Sequence, residues 1–72
     1  MKDMLEKFGF TNTLDNNIWT KFNWTIRFSE EEVEAFNNPL YNIIGKYYKC
    51  PKTELNLSNI LSDIEEFIKE GI

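Results

Sequence analysis

The sequence predicts an α+β domain: a short N-terminal helix, a small antiparallel β-meander of three to four strands, and a C-terminal amphipathic helix packed on the sheet. Two patterns carry this expectation. Leu57, Ile60, Leu61, Ile64 and Ile68 recur at helical spacing, with Phe67 beside them, which describes one helix with one apolar stripe. Upstream, Ile18, Thr20, Phe22, Trp24, Ile26 and Phe28 alternate with Trp19, Lys21, Asn23, Thr25 and Arg27, the two-residue period of a strand. An apolar stripe must cover something, so the helix is expected to lie across the sheet.

The first element follows from Met1, Met4, Leu5 and Phe8, which fit the i, i+3, i+4, i+7 template, with Gly9 behind them as a terminator. A helix this short does not persist alone, so its apolar side must dock. Phe10 to Leu14 leans toward strand, and Asp15-Asn16-Asn17 supplies the side chains that hydrogen-bond locally in turns. The Ile18–Phe28 run is long for one strand, since about five or six residues is usual, so a tight turn or bulge is expected near Asn23. Unbroken alternation would put Trp19 and Trp24 on opposite faces, one in the core and one facing a partner.

Ser29 to Phe36 admits two readings. Ser29 and Glu32 have capping-box spacing, with Val33, Phe36 and Leu40 at helical intervals. Alternatively, a hairpin through Ser29 to Glu31 supplies the neighbour that Trp24 to Phe28 needs, with Glu32, Glu34 and Phe36 on one face and Val33 and Ala35 on the other. The strand is preferred, because two strands make a poor sheet. Residues 40–44, between Pro39 and Gly45, read as a helical turn or a loop, and Lys46 to Cys50 as a last strand. For the final helix, Asn56 is the expected N-cap, Leu55 and Ile60 a hydrophobic staple, and Gly71 the C′ glycine.

The chain has 72 residues, read as a single domain over 1–72. A chain of this size buries only about 60% of its unfolded surface, so packing or self-association must supplement its core. Cys50 is the sole cysteine and histidine is absent, which removes an intrachain disulfide and the usual zinc sets. Nucleophilic catalysis then lacks its common base, the Glu30–Glu34 run lacks the central glycine of a calcium loop, and Gly9, Gly45 and Gly71 are too isolated to form a phosphate loop. The expectation is a protein that is not an enzyme and carries no cofactor. A charged N-terminus from Lys2 and the lack of an apolar run near the roughly 20 residues of a membrane span predict a cytoplasmic protein with no membrane partner.

Net charge is −4, and eight of the twelve acids fall in two groups: Glu30, Glu31, Glu32 and Glu34, then Asp63, Glu65, Glu66 and Glu70. Exposed carboxylates solvate any helix, but a concentrated set also steers a basic partner. At i, i+3 and i+4 spacing on a helix they stand about 5 to 6 Å apart, a repeating negative charge comparable with a nucleic-acid backbone. These eight residues form the candidate contact surface, with Trp19 and Tyr47 as candidate aromatic anchors. The expected partner is a DNA-binding or DNA-processing protein, and a second copy of the chain is the expected source of extra core and extra charge. Trp19, Lys21, Arg27, Tyr47 and Lys49 on one sheet surface would instead suit a single strand of nucleic acid, but the overall charge makes direct binding of nucleic acid unfavourable. A self-associating structural protein is the third reading.

Nine asparagines, eight isoleucines and many lysines and aromatics in a small acidic chain resemble, in size, charge and composition, the small early proteins of phages that infect low-GC bacteria. That resemblance implies a viral inhibitor of host machinery, of the kind that blocks sliding clamps, polymerases, DNA-repair enzymes or CRISPR nucleases, in some cases by imitating DNA.

Overall fold

The computed structural model describes residues 1–38 and 45–70. Within them the chain runs α1 (Lys2–Lys7), β1 (Thr11–Asn12), β2 (Ile18–Lys21), β3 (Trp24–Phe28), β4 (Glu32–Asn37), β5 (Tyr47–Pro51) and α2 (Glu54–Lys69). The expected α+β order of helix, antiparallel meander and helix is what forms, with five described strands rather than three to four, in the sheet order β1-β2-β3-β4-β5. The 40–44 segment and the Gly71 cap lie outside the described residues.

Helix α1 stops because Gly9 adopts φ +88, a left-handed conformation that costs glycine nothing. The amide of Phe10 donates to Leu5 O at 3.0 Å and that of Gly9 to Glu6 O at 3.0 Å, the paired bonds of a Schellman motif. Leu5 and Phe10, the flanking apolar pair of that motif, are both buried in the core. The next turn closes on Asp15, whose Oδ1 accepts the Asn17 amide at 2.9 Å while its carbonyl accepts the Ile18 amide at 3.0 Å, so β2 turns back on β1.

The expected interruption near Asn23 is a tight two-residue turn, Phe22-Asn23, between Lys21 and Trp24, which pair directly. The turn corrects the expected separation of the two indoles. Residues opposite one another in an antiparallel pair share a face, so Trp19 against Ile26 and Lys21 against Trp24 place both tryptophans on the same side. Trp19 is 5% exposed and Trp24 1%. Both belong to the core, and Trp19 is therefore not an exposed anchor.

Residues 32–37 form strand β4, paired with β3 through Phe28↔Val33 and Trp24↔Asn37. The Ser29–Glu32 spacing does make its local hydrogen bond: Ser29 Oγ accepts the Glu32 amide at 3.1 Å. Here that bond closes a hairpin turn, alongside Ser29 N–H to Glu32 O at 2.9 Å, instead of opening a helix. Serine offers the same local acceptor to either structure.

Helix α2 begins three residues earlier than expected. Thr53 is the N-cap and its side chain accepts the Asn56 amide at 3.1 Å; the Asn56 side chain reaches back to Pro51 O at 2.9 Å. With the cap at Thr53, Leu55 falls on the solvent side and is 71% exposed, so no Leu55–Ile60 staple exists. The apolar stripe is as expected: Leu57, Ile60, Leu61 and Ile64 are buried. They join Leu5, Phe10, Trp19, Trp24, Ile26, Val33 and Ala35 in one core cluster, with Phe67 and Ile68 packed at its margin. Both helices thus cover the same face of the sheet, and the other face is left uncovered by any described element.

Candidate functional site

The open sheet face is built by register. Thr11, Thr20, Thr25, Phe36 and Tyr47 form one row across all five strands, and Ile18, Arg27, Glu34 and Lys49 the next. Its charges are largely neutralised in place. Glu34 Oε1 accepts from Arg27 Nη2 at 2.9 Å and from Nε at 3.2 Å, Glu34 Oε2 accepts from the Tyr47 hydroxyl, and Lys49 pairs with Glu32 at 3.6 Å. The Arg27 guanidinium also lies 5.9 Å from the centre of the Phe36 ring. The hydrogen bond from Tyr47, and after it that from Arg27, hold the Glu34 carboxyl below its ordinary 4.5; the same bond raises the Tyr47 phenol above 10.0. Cys50 faces the other way, toward the core, where burial pushes its thiol above 9.0, with Glu32 adding to the effect.

The basic and aromatic set considered for single-stranded nucleic acid does not assemble. Trp19 and Lys21 point into the helix-covered side, and only Arg27, Tyr47 and Lys49 occupy the open face. Lys21 is spent on α1: its ammonium donates to Phe8 O at 2.5 Å and sits 6.0 Å from the Phe10 ring centre.

Glu30 and Glu31 lie at the opposite end of the molecule from Glu66 and Glu70. Glu30 and Glu31 occupy the β3–β4 turn, beside the start of α2, because the Lys52 amide donates to Glu31 O at 2.8 Å and Lys52 Nζ to Ser29 O at 2.9 Å. Glu32 and Glu34 follow on the open face. The end of α2 is a full helix length away, about 24 Å for its 16 residues. There the Phe67 ring stands 5.9 Å from Trp24, edge to face, and Lys46 Nζ is 5.5 Å from the same ring. Because 32–37 is a strand, the helical spacing expected of the first group does not apply to it, whereas Asp63, Glu66 and Glu70 do rise along one side of α2, with Glu65 toward Phe8. All four are exposed, and none makes an ion pair with a described residue. Burial, and next the charge of Asp63, raise the Tyr48 phenol above 10.0.

Of the candidate anchors, Tyr47 is 60% exposed on the open face. Phe22 was not among them, yet it is 81% exposed, at the tip of the β2–β3 hairpin with φ +55. Its place in an apparently continuous alternation concealed it; the neighbouring Asn23 was the only turn signal. Among the described residues no three His, Cys, Asp or Glu side chains converge as a metal site, and no helix is long and apolar enough to cross a membrane. Comparison with protein-family models, curated proteins and solved structures returns no match.

Proposed function

We propose that this protein is a non-catalytic interaction module that occupies a basic surface on a nucleic-acid-handling protein and so inhibits it. The observation that carries this reading is the second half of α2 and its C-cap, where Asp63, Glu65, Glu66 and Glu70 outnumber the neighbouring Lys46 and Lys69 and make no ion pair with a described residue, on a helix anchored beneath by Leu61, Ile64 and Phe67. A fixed array costs little to order on binding, and unpaired charge on it steers a partner of opposite sign. Glu32 and Glu34 are weaker candidates, because Lys49, Arg27 and Tyr47 already engage them. A phage-type inhibitor of a host clamp, polymerase, repair enzyme or CRISPR nuclease fits this surface, acting in the host cytoplasm.

The test is immobilisation of the protein and exposure to a bacterial lysate, alongside the variant Glu65→Lys, Glu66→Lys, Glu70→Lys. The expected result is a basic DNA-handling protein that is retained at low salt, elutes at high salt, is missed by the variant, and loses DNA binding when the wild-type chain is added. Equal retention by parent and variant, or no specific protein retained, refutes the reading.

A further inference from the structure

We infer that Phe22 is the anchor of the contact, a side chain held outward by the β2–β3 turn for insertion into an apolar pocket, rimmed by basic groups, on a partner protein. The inference deepens the proposed function and rests on it. A two-residue hairpin loop needs positive φ at its first central position, which glycine, asparagine or aspartate supply at least cost. A bulky side chain there is an outlier, and Phe22 holds φ +55. Packing does not offset that cost, since the side chain is 81% exposed.

The surroundings keep the turn in its strained form. On one side Lys21 is clamped to Phe8 O at 2.5 Å. On the other, Asn23 is joined to Asn38 twice, by Asn38 N–H to Asn23 O at 2.9 Å and by Asn23 Nδ2 to Asn38 O at 3.0 Å. Strain persists where neighbours over-determine a conformation, and such places are often functional. A backbone fixed in this way presents the ring to a pocket with little further loss of main-chain freedom, and aromatic residues are enriched in contact surfaces.

The partner's chemistry follows from what lies beside the tip. Glu65, Glu66 and Glu70 line one groove with Ser62, Lys69 and Phe8, the last being the residue whose carbonyl holds Lys21, and Phe67 packs on Trp24 two residues beyond Phe22. The exposed ring therefore shares one end of the molecule with these carboxylates, which outnumber Lys69 in the groove three to one. An apolar cavity with a basic rim complements both.

Two measurements test this together. Phe22→Asn should raise the melting temperature by several degrees, since asparagine tolerates the left-handed turn; a fall would mean that the ring serves the fold and would overturn the inference. In bacterial cells, benzophenone-alanine at position 22 should photocrosslink to one discrete protein other than this chain, whereas the same probe at Leu14, which is fully exposed in the β1–β2 turn at the far end of β2, should not. Excess unlabelled parent should suppress the adduct at least tenfold and excess Phe22→Asn should not. Equal suppression by Phe22→Asn, the same products from both positions, no adduct at all, or an adduct of twice the chain's own mass overturns the anchor. Full suppression by the Glu65, Glu66, Glu70 charge-reversal variant would remove the acidic-surface reading while leaving Phe22 as the anchor, so the two fail separately.

Discussion

Ile64→Ala tests the packing on which every surface above depends. Ile64 is 1% exposed and sits mid-way along the α2 stripe over the sheet. Truncation removes three carbons, about 0.8 kcal/mol each in transfer free energy, and the unfilled space brings the cost to about 3 kcal/mol, within the usual 2 to 5. A domain of 72 residues has a total stability of roughly 4 to 11 kcal/mol, so the loss is a large fraction of the whole. At about 4 to 8 °C per kcal/mol for a domain of this size, the melting temperature should fall by about 12 to 24 °C, followed by circular dichroism at 222 nm. Leu55→Ala is the matched control: at 71% exposure it should change stability by no more than about 0.5 kcal/mol. An Ile64→Ala protein that melts within about 3 °C of the parent, or a Leu55→Ala protein as damaged as Ile64→Ala, would refute the placement of α2.

Two further outcomes follow from the local chemistry. Thr53→Ala removes the hydroxyl that caps Asn56 N–H and should cost about 1 kcal/mol, seen as a lower urea midpoint with an unchanged m-value; Thr53→Asp should restore most of it. Glu34, with its folded pKa below 4.5, contributes stability that is present above its unfolded pKa and is lost as pH falls through the folded one. Tyr47, raised above 10.0, contributes stability that is present below its unfolded pKa and is lost as pH rises through the folded one. An NMR titration should show the Glu34 carboxyl carbon titrating below pH 4.5 and moving upward in Tyr47→Phe; an unmoved midpoint would mean that the hydroxyl does not govern it.

Patterns of period were legible in the sequence, and so was the need for a break near Asn23; the form of that break and the faces it produces were not. Leu57, Ile60, Leu61 and Ile64 announce the face that α2 buries, because nothing but a helix aligns them. The two-residue period from Ile18 to Phe28 identified strands and the length of the run called for a break near Asn23, yet a turn could not be told from a bulge, since Phe22 occupies the position where glycine or asparagine would mark a two-residue turn. That one substitution reversed the predicted side of Trp19. Ser29 and Glu32 were ambiguous because a hydroxyl accepting an amide three residues on serves a hairpin as well as a helix. The α2 cap was misplaced because Thr53 lacks the glutamate partner of a capping box, leaving Asn56 as the more conspicuous polar residue. The charges of the site were visible as clusters, but their engagement was not: Arg27 and Glu34 are seven positions apart, and only the strand register brings them face to face.

Every pairing in this sheet joins strands consecutive in the chain, so β-pairing proceeds strand by strand without waiting for distant parts of the chain. Connectivity of this kind favours rapid folding. The apolar underside is another matter, because Trp24, Ile26, Val33 and Ala35 stay wet until Glu54–Lys69 arrives to cover them. A ribosome must therefore release the chain through Lys69 before the hairpins become durable, and a product truncated ahead of Thr53 would be a substrate for proteases.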